Sequence, residues 1–222
     1  MATVTEEIKA TLPETPNPVI LRPEDGHANV IQGQLLPLRL FTTDEYEKMV
    51  ETRILSADER LELIEGVIVK MSPKGVKHSN AVRRGNATFS RHVGDRTVIL
   101  TQDAIRLSDN SEPEPDLALL APPLAKYDTR HPTPSDVFLI LEIADSSLSF
   151  DRKDKTRLYA SAGIVHYCIL NLQARELEDY RDPGADGYRR KQTHTAGQSF
   201  NLVAFPKLTV DVDELLPPEA NS

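Results

Sequence analysis

The sequence lacks paired cysteines, long apolar runs and an excess of positive charge. Its only cysteine, Cys168, excludes an intrachain disulfide framework, so a reducing cytoplasm is the expected compartment. No basic-then-apolar leader opens the chain and no apolar run approaches the roughly 20 residues that span a bilayer, so we expect no membrane partner. The net charge of -8 argues against coating of nucleic acid by the whole surface, because phosphate binding depends on accumulated Lys and Arg. A locally basic cleft is compatible with this charge.

The length and the proline distribution predict one domain preceded by an arm. With 222 residues and 39% hydrophobic content, the chain can bury one sizeable core. Residues 1–40 contain repeated prolines and no sustained helical or strand period, which predicts a flexible or surface-draped arm. Residues 41–222 are predicted to form a single domain, with most of its core between residues 60 and 170.

Helix and strand signals alternate through this domain. Thr42 and Glu45 predict a capping box at the start of a short helix, and "RLELIEGVIVKMSP" predicts a hairpin that turns at Glu65-Gly66. The further predicted elements are a helix at 78–94, strands at 97–100, 104–107, 117–120 and 137–143, a helix at 152–162, a strand in "IVHYCILN" and a hairpin around Pro183-Gly184. The pattern predicts a mixed sheet flanked by helices, in the α/β or α+β class.

Two acids stand at the ends of apolar strands. Asp116 follows Pro115 immediately before "LALL", and Glu142 follows five consecutive apolar residues in "VFLILEIADSS". Taken singly, each acid is typical of a solvated cap or an ion-pair partner. Ionised acids within adjacent apolar strands are costly unless they are paired or bound to a metal ion. We therefore predict that Asp116 and Glu142 lie on adjacent strands and can bind one hard cation such as Mg²⁺.

A charged helix follows the second acid. Asp151, Lys155 and Tyr159 are four residues apart, so they lie close to one helix face. One interpretation is an ordinary solvated face with one salt bridge, which suits Lys153 and its charged neighbours. The other places Lys155 beside Glu142, where an ammonium can position a water molecule and stabilise negative charge during displacement at phosphorus. The spacing leaves both interpretations open.

Five segments in order carry a family resemblance: "RLELIEGVIVKMSP", "HSNAV", "SEPEPDLALL", "LEIADSSLSFDRKDKTRLYASAGIVHYCIL" and "DVDEL". Together they resemble the Uma-two family of restriction-endonuclease-like proteins, a branch of the PD-(D/E)xK nuclease superfamily. The resemblance runs from about Phe41 to Leu216. It implies an αβββαβ core and a Mg²⁺-dependent phosphodiesterase site, with Mn²⁺ able to substitute. By position, it implies Asp116 and Glu142 as metal ligands and Glu62 as a further catalytic acid.

One position departs from the superfamily pattern. The lysine normally sits two residues after the second acid, but that position here is Ala144. In the resembling family the lysine is carried on the following helix in a D-x-x-x-K-x-x-x-Y pattern, which Asp151, Lys155 and Tyr159 match. The resemblance therefore implies that Lys155 acts from the helix on the same phosphate as the metal.

The remaining candidates keep two interpretations each. Glu62 is either a third metal ligand or an exposed strand residue. His78 either helps a helix N-terminus to receive a phosphate or is a plain surface residue, and Gln102 either bonds inside the cleft or is structural. The predicted DNA-contacting residues are Lys74, Lys77, His78, Arg83, Arg84 and Lys153, and the predicted auxiliary residues are Gln102 and Tyr159.

Two functional classes follow from the sequence. The first is a Mg²⁺-dependent DNA endonuclease. The second is a catalytically inactive nuclease-fold protein that acts as a nucleic-acid-binding or assembly module. The "HYC" run at 166–168, where the family often has Glu-Tyr-Trp, is compatible with core variation or with lost activity. The sequence leaves the DNA target and the oligomeric state open, a homodimer included.

Overall fold

The computed structural model describes residues 28–31, 34–56 and 58–218. The chain divides into two compact units, residues 1–39 and 40–222. The first unit contains β1 (Ala28–Ile31) and β2 (Gln34–Pro37), which pair antiparallel. A short hairpin thus lies within the segment for which the sequence predicts an arm. Residues 1–27, 32 and 33 of that predicted arm lie outside the described residues.

The second unit is organised around a six-stranded mixed sheet with the strand order β10-β9-β8-β7-β6-β5. The strands are β5 (Val98–Thr101), β6 (Leu117–Leu120), β7 (Val137–Ala144), β8 (His166–Asn171), β9 (Glu176–Gly184) and β10 (Gly187–Thr195). Within this sheet β7 and β8 are parallel, and the other pairs are antiparallel. Because parallel strands need a crossover connection, a helix lies between β7 and β8. The predicted mixed sheet is confirmed.

Three of the helices flank this arrangement. They are α1 (Thr43–Glu51), α2 (Val76–Val93) and α3, which covers 148–161 as Leu148–Phe150, a π-helical turn Asp151–Lys155 and Thr156–Ser161. The predicted capping box of α1 is present, since the Thr42 hydroxyl accepts from the Glu45 amide and the Glu45 carboxylate accepts from the Thr42 amide. The order α2-β5-β6-β7-α3-β8 is the predicted αβββαβ core. No helix in the described part of the chain combines the length and apolarity needed to cross a membrane.

A hairpin of β3 (Leu61–Ile64) and β4 (Val67–Lys70) forms where the sequence predicts it. Its central turn residues, Glu65 and Gly66, have φ values of 49° and 82°, as two-residue hairpin turns commonly require. A Cβ on Gly66 would lie 2.6 Å from the Leu40 Cβ, so this turn has no room for a side chain.

Two predicted elements are wrong in position or type. The segment 104–107 is not a strand. The Ile105 amide donates to the Pro113 carbonyl and the Arg106 amide to the Pro132 carbonyl, and neither proline has an N–H to return a ladder bond. The late hairpin forms, but Pro183 and Gly184 still belong to β9, so its turn lies at 185–186.

Most of the core lies between residues 60 and 170, as predicted, and the C-terminal segment completes it. Gly85 of α2 packs so close to the sheet that an added Cβ would lie 2.5 Å from a Leu117 methyl carbon. A second hairpin, β11 (Ser199–Leu202) with β12 (Phe205–Asp211), and α4 (Val212–Leu215) complete the core beyond residue 170. The core residues from this region are Leu177, Phe200, Leu202, Val210, Val212, Leu215 and Leu216.

Candidate active site

The register of β6 and β7 brings the two predicted acids together. Leu117 pairs with Leu141, so Asp116 lies opposite Glu142 at the start of β6. The Asp116 amide donates to Glu142 Oε2 at 3.4 Å, and the Ile143 amide donates to Asp116 Oδ2 at 3.0 Å. Both carboxylates are therefore fixed by the backbone of the neighbouring strand.

Lys155 points from α3 into this pair and not into solvent. Its Nζ donates to Glu142 Oε1 at 2.8 Å and to Glu62 Oε1 at 3.3 Å, and the residue is 2% exposed. The Tyr159 hydroxyl also donates to Glu142 Oε1, at 2.8 Å. The solvated-face interpretation is thus wrong for Lys155, and the exposed-strand interpretation is wrong for Glu62, which is 2% exposed.

The π-helical turn shapes this part of α3. The Thr156 amide and hydroxyl both donate to the Asp151 carbonyl, and the Tyr167 hydroxyl donates to the same oxygen at 3.2 Å. The Asp151 carboxylate accepts from Ser147 Oγ at 2.6 Å. Such single π turns occur frequently at functional sites. Here the turn buries both Asp151 and Lys155.

Three side-chain donors converge on Asp116 Oδ1. They are His78 Nε2 at 2.9 Å, Gln102 Nε2 at 3.1 Å and Lys74 Nζ at 3.4 Å. His78 reaches the acid because it lies in the first turn of α2, and Gln102 reaches it from a backbone with φ of 52° just after β5. Burial raises the pKa of Asp116, but His78 and Lys74 outweigh burial and lower this pKa to about 2.

The pKa values of the other buried groups in the site are raised, in contrast to that of Asp116. Burial raises the pKa of Glu62 and Glu142, although Lys155 acts against this change. Burial and the charge of Glu142 raise the pKa of Asp151 to about 7. Burial alone would lower the pKa of Lys155, yet the surrounding carboxylates raise it above its ordinary value. Lys155 therefore stays charged, whereas the acids retain protons more strongly than acids in water.

The predicted DNA-contacting residues separate into three groups. Lys74 and His78 contact Asp116 inside the site. Lys77, Arg83 and Lys153 are exposed, as a residue that contacts a nucleic-acid backbone must be. Arg84 is different, because its guanidinium donates to the Asp213 carbonyl at 3.0 Å and is thus held by α4.

One neighbouring acid was absent from the sequence prediction. Burial and Asp103 raise the pKa of Glu114, while Lys74 and Lys155 oppose this shift, which places Glu114 beside the site. The signal was present in "EPEPD", since a residue before proline favours an extended backbone and alternate residues then point to one side.

Comparisons with known proteins agree with this fold. The Uma2 family model, described as "Putative restriction endonuclease", matches residues 43–213. The fold is also that of a crystal structure of "a putative nuclease belonging to DUF820 from Anabaena variabilis". That similarity has a TM-score of 0.62 at 14% sequence identity and covers 79% of this chain and 97% of the other. No curated protein matches the sequence.

Proposed function

Because the chain belongs to the Uma2 family of restriction-endonuclease-like proteins, we propose that it is a metal-dependent DNA endonuclease. The observation that carries this proposal is an imbalance of buried charge. Glu62, Asp116, Glu142 and Asp151 are all at most 6% exposed, and the ammonium groups that face them belong to Lys155 and Lys74. When all four carboxylates are ionised they exceed the two ammonium groups by two negative charges. A divalent cation can neutralise this excess in place of the protons that the buried acids otherwise retain.

The residues present fit Mg²⁺, with Mn²⁺ as its substitute. Asp116 and Glu142 would hold the ion, and Glu62 would supply a further carboxylate. The donor set consists of hard oxygen atoms, which Mg²⁺ prefers. Glu62 Oε2 forms an ion pair with Lys155 Nζ at 3.2 Å and makes no hydrogen bond among the described residues, so it can still accept a metal ion. Bound Mg²⁺ would act as a Lewis acid that stabilises negative charge on a phosphodiester.

The chain's own residues have separate roles in this proposal. Lys155 supplies a permanent positive charge that orients Glu142 and stabilises negative charge developing on the phosphate. Tyr159 fixes the same carboxylate from the next turn of α3. His78 and Lys74 hold Asp116 ionised and lie at the mouth of the site, where the side chain of Lys74 is 18% exposed. Lys77, Arg83 and Lys153 would contact the DNA backbone.

The test is plasmid nicking with Mg²⁺ and with Mn²⁺, together with calorimetric titration of Mn²⁺. Asp116→Asn and Glu142→Gln keep the side-chain size and remove one charge each. We expect both variants to lose measurable nicking and to bind Mn²⁺ at least about tenfold more weakly, because a ligand should matter at least as much as the outer-shell groups around a metal.

The alternative is the inactive nuclease-fold protein. Salt-dependent DNA binding without nicking by the wild-type chain, in either metal ion, would favour that alternative. Full nicking by Glu142→Gln would remove this acid from the proposed mechanism.

A further inference from the structure

A second group of potential ligands lies in a cavity of about 790 Å³ between α1 and the loop at 127–133. Carboxyl groups outnumber guanidinium groups in the lining of this cavity. The carboxyl groups belong to Glu47, Glu51, Asp103, Glu112, Glu114 and Asp128, and the guanidinium groups belong to Arg106 and Arg130. Arg130 bonds to Asp136, and Arg106 bonds to Asp44 and lies 3.7 Å from Glu47. Both guanidinium groups thus have carboxylate partners, and most of the carboxyl groups in the lining remain without one of these cations. The cavity therefore favours an additional cation.

Three side chains converge within this cavity. One ligand atom from each of Glu47, Glu112 and His131 lies within 4.8 Å of the other two. Atoms that bind one Zn²⁺ tetrahedrally at about 2.0–2.2 Å are roughly 3.3–3.6 Å apart, so the three ligand atoms would move closer together by up to roughly 1.5 Å. The three residues come from α1, from the segment before β6 and from the loop before β7, so one ion would join three distant parts of the chain.

Glu112 provides a second observation that points to a ligand. It is 3% exposed, and its Oε2 has no hydrogen-bond partner among the described residues. A buried carboxylate oxygen without a partner is costly. This oxygen of Glu112 is therefore available to a cation in the cavity.

We propose that Glu47, Glu112 and His131 form a second divalent-cation site, distinct from the site at Asp116 and Glu142. Two carboxylates with one imidazole match the preferences of Zn²⁺ and Mn²⁺. The ion would stabilise the chain by joining α1 to the 127–133 loop. This site does not depend on the proposed nuclease activity, because its three ligands are outside the proposed catalytic set.

The described residues contain another three-donor group, but its atoms already have partners. His166 Nε2 bonds to Asp179 at 3.1 Å, His166 Nδ1 accepts from the Val203 amide, and Arg181 binds both oxygens of Asp179. The third donor, Cys168, has a pKa raised by burial and stays a thiol. That group is a hydrogen-bonded network in which the Arg181 guanidinium already neutralises Asp179.

The experiment is a calorimetric titration of the metal-free full chain with Zn²⁺ in a Glu142→Gln background, which weakens the first site. We expect one remaining Zn²⁺ equivalent, and we expect Glu112→Gln or His131→Gln to weaken its binding at least about tenfold. The matched control is Glu51→Gln, because Glu51 lines the same cavity but is exposed on α1. The control should bind Zn²⁺ as the background does.

A thermal melt of each variant provides the second readout. Zn²⁺ should raise the Tm of the background and of the Glu51 variant, and it should leave the Tm of the Glu112 and His131 variants unchanged. The proposal is overturned if the Glu142→Gln background binds no Zn²⁺, or if the His131 and Glu51 variants bind it equally. Loss of nicking by any variant does not bear on this outcome, so the two proposals fail independently.

Discussion

Two buried polar clusters lie on opposite faces of the six-stranded sheet, one around β6 and β7 and the other on β8 and β9. The site cluster is Glu62, Asp116, Glu142 and Lys155, and the anchor cluster is His166, Cys168, Asp179 and Arg181. In the parallel register Glu142 pairs with Ile169, so its side chain is on the face opposite that of Cys168, one residue earlier in β8. Both clusters contain carboxylates with almost no solvent exposure.

The clusters differ in their charge balance. In the anchor cluster Arg181 binds Asp179 through two nitrogens and also donates to the Asn201 carbonyl at 2.7 Å. Burial lowers the pKa of His166, so this ring is neutral and joins Asp179 to the Val203 amide. The cluster therefore carries no excess charge and fixes the β11-β12 hairpin to the sheet.

The site cluster, by contrast, carries an excess of negative charge. Its acids exceed its lysines, and burial raises the pKa of Glu62 and Glu142 even with Lys155 in contact. Burial of polar residues alone therefore does not distinguish a functional site from a structural network. An excess of buried charge of one sign does distinguish the two, because a stable fold retains such an excess only where a ligand or a proton can neutralise it.

The largest effect should follow from Lys155→Met, which removes the charge that both Glu142 and Glu62 contact. Loss of one partner from a buried ion pair costs about 3–5 kcal/mol, so we expect a loss of this order in metal-free urea unfolding at pH 8. Nicking should fall at least about 10²-fold. Adding Glu142→Gln should recover part of the lost stability. A stability loss below about 1 kcal/mol would contradict the central place of Lys155 in the cluster.

The next largest effect is the change in folding stability with pH that the titration of Asp151 causes. The pKa of this acid is about 7 in the folded chain and about 3.9 when unfolded, so folding favours its protonated form. Its contribution to stability is complete below about pH 4 and is lost as the pH rises through about 7. The carboxylates with pKa values of about 2, Asp116 and Asp179, change their contributions only below about pH 4.

Asp151→Asn keeps the acceptor for Ser147 and removes this titration. The pKa difference corresponds to at most roughly 4 kcal/mol, so the variant should gain up to that amount relative to wild type between pH 4 and pH 8. Urea unfolding of the metal-free proteins across this range is the measurement. Parallel stability profiles of the two proteins would show that Asp151 is ionised in the folded chain.

A smaller loss is expected when the anchor cluster is broken by Arg181→Met. The side chain of Arg181 is 27% exposed, so solvent weakens the penalty and a loss of about 2 kcal/mol is expected. Mn²⁺ affinity and nicking at 20 °C should match wild type, because Arg181 contacts neither Asp116 nor Glu142. A change in Mn²⁺ affinity in calorimetry would mean that the two faces of the sheet are coupled.

The sequence predicted the parts of this comparison that depend on local order. The β3-β4 hairpin, the Thr42 capping box and the helices that flank a mixed sheet follow from periodicity and turn residues, whereas the αβββαβ succession was implied by the family resemblance. The opposition of Asp116 and Glu142 followed from two acids at the ends of neighbouring apolar strands. Apart from the succession, local chemistry is sufficient in each of these cases.

The parts that were missed depend on distant contacts. The anchor cluster combines His166 on β8 with the Val203 amide, 37 residues later in the chain. The segment 104–107 has the composition of a strand, but its amides bond to proline carbonyls in other loops. Similarly, Glu47, Glu112 and His131 have no common sequence spacing and meet only in the folded chain.

The smallest effect should come from Lys153→Met, two residues before Lys155 on α3. Lys153 is exposed, and substitutions at such positions change stability by about 0.5 kcal/mol or less. Mn²⁺ affinity should be unchanged, because the charge is outside the buried cluster. If Lys153 contacts the phosphate backbone, the slope of log affinity against log salt for DNA should fall by about 1, measured by fluorescence anisotropy. Lys155→Met serves as the comparison in every assay. Equal effects of the two changes on Mn²⁺ affinity, nicking and stability would mean that α3 acts only as a charged surface.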